Sequence, residues 1–472
     1  MEEKNIKFGT AGWRGIISDD FTFKNVEIVS QAIADVLNEE YPLEEIEVAV
    51  GYDSRFQGEN FAKTAASVLA GNGIKVSFSL IDVPTPVISH HVIANKLKGA
   101  LNITASHNPP QYSGIKYSPS SGGPALPETT KKIESNIKKV QACGEIKKAS
   151  YSRALKEGRI KEEDFSSSYI DKIKQLIDIP LIKKKLSVVY DPMFGSGRHY
   201  VGKILDGKLK VINNRRDVLF GGHQPEPARE YLDELGTLVK EGADIGIATD
   251  GDGDRFGIID SGGEYITANQ MLALALYHLH GKGMRGVCAR SVMTSSFMDA
   301  VADMLGADVV ETPVGFKYIG EIFADRDMIV GGEESGGLTI GGHLPEKDGI
   351  LACLLACEIM AAHKKSLTEL IKEIQKKTGP FETARQNYAL SEEKVSNLKE
   401  RLARKLPGVI GDYKVREVVT LDGYKFMLGE KNSWVGLRFS GTEPVVRLYA
   451  ESASEKEIVG IISSAEKVFG LS

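Results

Sequence analysis

The chain has 472 residues, 42% of them hydrophobic and 26% charged, the balance of an ordinary globular protein. That length exceeds one hydrophobic core and implies three or four domains at about 100–200 residues each. A formal net charge of −5 excludes a general basic field, and with it sequence-independent nucleic-acid binding, which needs an excess of Lys and Arg.

In chain order, the opening MEEKNIKFGT shows no basic-then-apolar leader, so the expectation is a cytoplasmic chain. Apolar residues at three- and four-residue spacing predict a helix over Val26 to Glu40, followed by a strand in IEVAVGYDS, Ile46 to Ser54. GALNI, Gly99 to Ile103, reads as a short buried strand. The lysine-rich, helix-compatible stretch Thr129 to Lys161 presents a solvated face and separates a first unit, 1–149, from the strand LSVVYDP at Leu186 to Pro192. A second unit, 150–255, closes just after DGDGDR, where the strands FGIID and GEYIT begin a third. A helix is predicted over Ser296 to Ala307, and KKTGP ends the third unit's last helix, giving 256–374. The rest, 375–472, reads as α+β: a helix over Glu392 to Lys405, several strands and a closing helix from about Glu455. The longest apolar stretch, Ile350 to Cys357, is far short of the roughly 18 residues of a membrane span. Cys353 and Cys357, one helical turn apart, read as buried helix-face residues, because no nearby Cys or His completes a metal set. Strands alternating with helices imply successive α/β units, yet no fixed-period repeat occurs in the sequence.

Four glycine-punctuated loops carry chemistry. In TASHNPPQYSGIKY, residues 104–117, Ser106 stands at a strand end on a loop stiffened by Pro109 and Pro110. Two readings are open: a turn in which Ser106, His107 and Asn108 bond local backbone, or a presented nucleophile. In GADIGIATDGDGDRFG, residues 242–257, Asp250, Asp252 and Asp254 alternate with glycines after an apolar strand. Extended backbone points such carboxylates one way, and three mutually repelling charges need a cation. A calcium loop of the EF-hand type fails, since Arg255 stands where Gly is wanted and Ser261 where Glu is wanted. The oxygen-only set suits Mg²⁺; the alternative is a solvated acidic turn. In GGEESGG, residues 331–337, Glu333 and Ser335 form either a surface turn or a set of hydrogen-bonding groups for sugar hydroxyls. In RFSGTEPVVR, residues 438–447, Ser440, Gly441 and Thr442 offer amides and hydroxyls between Arg438 and Arg447, the make-up of a phosphate nest. Neither GxxxxGK[ST] nor GxGxxG spacing indicates a nucleotide cradle.

TASHNP, DGDGDR, GEESG and RFSGTEP, in this order and spacing, resemble the α-D-phosphohexomutase superfamily of phosphoglucomutases, phosphomannomutases and phosphoglucosamine mutases. The likeness runs from FGTAGWRG at Phe8 to the C-terminal helix. It implies three similar α/β domains with mixed sheets and a C-terminal α+β domain around a central cleft. Ser106 would be carried as phosphoserine, and Asp250, Asp252 and Asp254 would hold Mg²⁺ together with an oxygen of that group. The implied catalytic set is Ser106, His107, Lys116 and Arg255, with Lys116 as general base or acid at the sugar hydroxyl. Glu333 and Ser335 would read the sugar, and Lys317, His343 and Lys347 would line the cleft. Arg14 resembles an arginine near the active site, a structural role being equally open. Arg438, Ser440, Gly441, Thr442 and Arg447 would grip the non-reacting phosphate. The resemblance further implies two in-line transfers through a hexose 1,6-bisphosphate, which would also serve as activator.

Gly337 departs from the pattern, replacing the histidine of GEMSGH and GEQSGH, with His343 a candidate stand-in. GEESGG is most like a phosphoglucomutase, which favours glucose without excluding mannose. Phosphoglucosamine mutase is disfavoured by GEES in place of GEQS. A non-catalytic sugar-bisphosphate sensor would have lost Ser106 or an aspartate, and a metal-dependent phosphatase is disfavoured by a fourth domain that closes out water. The expected partners are small-molecule sugar phosphates, with no nucleic acid, no membrane and no reading of oligomeric state.

Overall fold

The computed structural model describes residues 6–9, 12–429, 433–439 and 445–471. Strand-forming runs sort into four sheets. In the first the order is Trp13–Ile16, Tyr112–Pro119, Gly99–Ile103, Glu47–Tyr52, Lys75–Ser79 and Ile160–Glu163. The last four are mutually parallel and the first two run antiparallel at one edge. Helices cover both faces, so Glu47–Tyr52 is buried from its second residue on and reads as an apolar run. Helix Phe23–Glu40 begins at Thr22, whose side chain accepts from the Asn25 amide, and it buries Val26, Val29, Ile33 and Leu37.

The second sheet runs Tyr265–Ile266, Phe256–Asp260, Ile245–Thr249, Val188–Asp191, Lys210–Val211, and the third Asp308–Thr312, Val287–Ser291, Met328–Glu333, Gly337–Ile340. Both repeat the plan of parallel strands with an antiparallel edge. Helix Gly349–His363 is capped by Asp348, buries nearly every side chain including Cys353 and Cys357, and packs on strands of the second and third sheets. The fourth sheet is six-stranded and wholly antiparallel, flanked by helices Glu392–Arg404 and Glu455–Phe469. The expected α/β units with mixed sheets and an α+β end are present.

Three boundaries shift. The first sheet continues beyond 149, because Ile160–Glu163 pairs with Lys75–Ser79 after helices Pro127–Cys143 and Tyr151–Lys156. The second continues beyond 255, because a tight loop returns Phe256–Asp260 antiparallel onto Ile245–Thr249 and Tyr265–Ile266 adds to that strand. Position 374 falls inside helix Leu367–Thr378, which ends where Gly379 follows, as KKTGP signals.

Candidate active site

The first three sheets each present one loop in the same structural place, where a parallel strand turns into its antiparallel neighbour. These are residues 104–111 after Gly99–Ile103, 250–255 after Ile245–Thr249, and 334–336 after Met328–Glu333. The sequence motifs are therefore three equivalent hairpin turns brought face to face.

Ser106 is 2% exposed and holds a left-handed backbone, φ 51°, uncommon for a residue other than glycine. Its Oγ donates to Asp250 Oδ2 at 2.7 Å. The two loops touch so closely that a Cβ on Gly251 would lie 2.7 Å from the Ser106 carbonyl oxygen, which is why glycine separates the aspartates there. Thr85 Oγ1 donates to Asp252 Oδ2 at 2.6 Å and receives the Asn102 amide at 2.8 Å, so the first domain positions the second domain's carboxylate.

Asp250, Asp252 and Asp254 are buried, with one oxygen of each within 4.8 Å of the others. Oδ1 of Asp252 and Oδ1 of Asp254 are buried without a hydrogen-bond partner. Orphaned carboxylate oxygens in an all-oxygen cluster fit a hard divalent cation. Burial and the other two carboxylates push Asp250 well above the usual carboxylate range. Burial pushes Asp254 the same way, but Lys116, Lys347 and Arg255 outweigh it and hold that carboxyl low.

The compensating cations are those the motifs named. Lys116 Nζ lies 2.6 Å from Asp252 Oδ2 and 2.8 Å from Asp254 Oδ2. Burial lowers its pKa, yet the two carboxylates win and raise it, so the geometry favours the ammonium, the acid half of its expected role. Lys347 Nζ is 3.3 Å from Asp254 Oδ2. Its stem crosses Gly337, where a Cβ would come within 2.6 Å of Lys347 Cδ. The departure from histidine at 337 thus opens the path by which Lys347 reaches the aspartates. Arg255 pairs with Glu226 at 3.5 Å, its own amide donating to Asp250 Oδ1 at 3.0 Å. Arg14 donates to Asn108 Oδ1 of the serine loop. Its pKa is lowered by burial and by Arg255. His107 Nδ1 is 3.4 Å from Ser106 Oγ, and burial with Arg255 and Arg14 nearby drives its pKa well down, leaving a neutral imidazole.

Glu333 accepts the Gly315 amide at 2.7 Å, and burial beside Glu334 raises its pKa to about 7. A cavity of about 370 Å³ opens at Ser335, lined also by Arg255, Glu334, Arg385 and Tyr449. Lys317 is the second residue of helix Phe316–Asp325, its pKa lowered by burial against the opposing field of Glu128, Glu321 and Asp422. His343 does not reach the cleft: its side chain is 0% exposed and bonds Asp348 at 2.7 Å, which also takes the Tyr169 hydroxyl at 2.7 Å. It braces the loop that carries Lys347, whose stem lies against Gly337. In the fourth sheet Arg438 and Arg447 are cross-strand partners, an arrangement of like charges that an anion relieves. Arg438 Nε donates to Asp422 Oδ2 at 3.0 Å, and Asp422 also accepts the Val314 amide at 3.1 Å, tying the fourth domain to the third. Ser440, Gly441 and Thr442 lie outside the described residues.

Sequence reasoning missed Thr85, Asn102, Glu226 and Asp422, single polar residues whose partners lie far along the chain; only the proline-flanked VPTP around Thr85 gave a local signal. Among the described residues no helix is long and apolar enough to cross a membrane.

Comparison with known proteins agrees with this geometry. Family models for phosphoglucomutase/phosphomannomutase α/β/α domains I, II and III and the C-terminal domain match residues 5–143, 167–263, 267–378 and 390–464. The phosphoglucomutase/phosphomannomutase of Thermococcus kodakarensis is 32% identical over 95% of each chain. A phosphoglucosamine/phosphogalactosamine mutase of Sulfurisphaera tokodaii is 30% identical over 98% of each. A crystal structure from Thermus thermophilus, provisionally described as a phosphomannomutase, superposes with a TM-score of 0.84 at 32% identity over 99% of each chain. With a buried serine of the first domain set against three aspartates of the second, and family models matched over all four domains, this chain belongs to the phosphoglucomutase/phosphomannomutase family of the α-D-phosphohexomutase superfamily and is a mutase, an isomerase.

Proposed function

We propose that this mutase interconverts hexose 1-phosphate and hexose 6-phosphate, with glucose preferred and mannose accepted, through a phosphoserine at Ser106. The observation that carries the reading is Ser106 Oγ at 2.7 Å from Asp250 Oδ2, in a left-handed turn with two further aspartates beyond it. In the first transfer the bond from phosphorus to Ser106 Oγ breaks while one forms to the free sugar hydroxyl oxygen. The proton that hydroxyl gives up is balanced by the one Ser106 Oγ takes up as it leaves phosphorus, which restores the serine hydroxyl. The 1,6-bisphosphate then turns end for end, and Ser106 Oγ loses its proton as it takes the other phosphoryl group back, while Lys116 as acid supplies a proton to the departing sugar oxygen and is recharged by the one the serine released. Asp250, Asp252 and Asp254 would hold Mg²⁺, whose charge, with that of Arg255, offsets the charge on the phosphoryl oxygens. Glu333 and Ser335 would orient the sugar, and Lys317, Arg438 and Arg447 would grip the phosphate that is not reacting. Free serine is charged by a hexose 1,6-bisphosphate, which makes that compound an activator.

Glucose preference rests on GEESGG, which resembles phosphoglucomutases; the glucosamine mutases among relatives of similar identity favour the competing reading. Side-by-side coupled assays on glucose, mannose and glucosamine 1-phosphates decide between them. The expected order is glucose, then mannose, then glucosamine, and a glucosamine kcat/KM above that for glucose overturns the preference. Intact-mass measurement after treatment with glucose 1,6-bisphosphate should add one phosphate, located on Ser106.

A further inference from the structure

The Ser106 loop has a neighbour outside the four motifs. Arg55 is fully buried in GYDSRF, between strand Glu47–Tyr52 and helix Gly58–Gly71. Every N–H of its guanidinium has an acceptor. Nε donates to Asp53 Oδ2 at 3.0 Å, Nη1 to the Pro109 and Tyr112 carbonyls at 2.8 and 2.9 Å, and Nη2 to the Ser106 and Asn108 carbonyls at 2.6 and 2.7 Å. A guanidinium has five donors in a fixed fork, so none remains for a substrate or a phosphate. Asp53 Oδ1 accepts the Arg55 amide at 3.0 Å, and Oδ2 also accepts the Thr104 hydroxyl at 2.6 Å. Thr104 Oγ1 in turn accepts the Ser106 amide at 2.8 Å. The ring Arg55, Asp53, Thr104 and Ser106 therefore closes on itself, and it holds both the N–H and the C=O of the residue that adopts the left-handed turn. From the second domain, Phe220 lies 5.0 Å from the guanidinium and Arg216 bonds the Ser54 and Arg55 carbonyls at 3.2 and 3.3 Å.

We propose that Arg55, through Asp53 and Thr104, is the positioning residue of the phosphoryl carrier: it fixes the direction of Ser106 Oγ whether that oxygen bears a hydrogen or a phosphoryl group. The inference rests on the reading of Ser106 as carrier. In-line transfer is sensitive to displacements of about 1 Å, and the serine must present the same line of attack in both halves of the reaction although its side chain changes charge and size between them. Lysine cannot replace this arrangement, because three donors on one nitrogen do not span four carbonyls and a carboxylate.

The test compares Arg55→Lys, Thr104→Val and Ser106→Ala with the parent, all as the full chain. Arg55→Lys should lower kcat about 100-fold and Thr104→Val about tenfold, with KM for either monophosphate within about threefold. The phosphoenzyme of each, prepared with glucose 1,6-bisphosphate and followed by intact mass, should lose phosphate to water faster than the parent. A purely structural role would change the amount of folded enzyme, not this partition. Parent-like kcat in either variant, or kcat loss matched by an equal rise in KM, overturns the proposal. Should Arg55→Lys fail to fold, Thr104→Val alone decides. Activity in Ser106→Ala would refute the carrier reading itself, whereas an inactive Ser106→Ala beside an unimpaired Thr104→Val removes only the clamp.

Discussion

The two ends of the proposed cleft, a reactive end at Ser106 and a gripping end at Arg438 and Arg447, are built on different terms. At the reactive end Ser106, Asp250, Asp252 and Asp254 are all buried, and loops of the first and second sheets interlock so tightly that no Cβ fits at position 251. At the gripping end Arg438 and Arg447 are half-buried on neighbouring strands of the antiparallel fourth sheet, which meets the third domain through Asp422 and a small cluster around Met293, Trp434 and Tyr449. Buried, preorganised charge is worth most where charge changes during reaction. Accessible charge would suit the proposed grip, which must release one phosphate and take its twin. The reactive end is thus expected to determine rate, and the gripping end affinity.

The largest effect expected of this division is at Asp252. Asp252→Asn keeps the shape and a partner for Thr85 but removes charge from the cluster, so turnover should fall about 10²- to 10³-fold. Calorimetric affinity for glucose 6-phosphate should change by less than about threefold, since the grip lies in another domain. An equal loss of affinity would show that the two ends are not separable.

Next comes the grip. On an inactive Ser106→Ala background, Arg438→Ala removes charge-assisted bonds worth about 1.5–3 kcal/mol, or about a 10- to 150-fold loss of affinity. Glucose 1-phosphate and glucose 6-phosphate should suffer alike if, as proposed, one clamp serves both orientations. Weakening of only one ligand would mean a dedicated site for each phosphate.

How much of this was legible in the sequence follows the same division between local and long-range causes. The four motifs and the successive α/β units could be read because strand ends, alternating carboxylates and glycine turns are local signals. The equivalence of the three hairpin turns could not: SHNPPQ, DGDGDR and ESG share no residue pattern, since hairpin topology constrains the backbone and leaves the side chains to the chemistry of each loop. The family resemblance places His343 of HLPEKDG at the cleft, but Tyr169 and Asp348, remote in sequence or set by tertiary packing, draw it into the interior. Gly337 reads in the sequence only as a missing histidine; the structure shows that its missing Cβ admits the Lys347 stem.

That last point predicts a smaller effect. Gly337→Ala sets a Cβ against the Lys347 stem, a flexible neighbour that can yield only by drawing its ammonium away from Asp254. The expected cost is about tenfold in kcat with little change in KM. Full activity would mean that Lys347 acts from elsewhere, and that the reactive end tolerates more movement than its packing implies.

The smallest effect concerns the joint between the third and fourth domains and should touch stability while sparing rate. Lys425, 2% exposed, donates to the Val292 carbonyl at 2.8 Å and lies 4.3 Å from the centre of the Trp434 ring. Burial, with Arg290 adding to it, lowers its pKa from 10.5 to about 8, against Glu311, Glu451 and Asp299. Between those two values the unfolded chain binds more protons at this group than the folded one, so folding stability rises with pH across the window. Below about 8 both states carry the charge and the cost of burying it is fully present; above 10.5 both are neutral and the cost is gone. Lys425→Met keeps the apolar stem and removes the titration. The difference in Tm, parent minus Lys425→Met, should therefore climb by about 1–3 °C between pH 7.5 and 10, other groups cancelling between the two proteins. A flat difference would show that the Val292 carbonyl and the Trp434 ring stabilise the ammonium enough to offset its burial. The joint would then be an ionic latch, and the gripping end would share the fixed, charge-bearing construction of the reactive end.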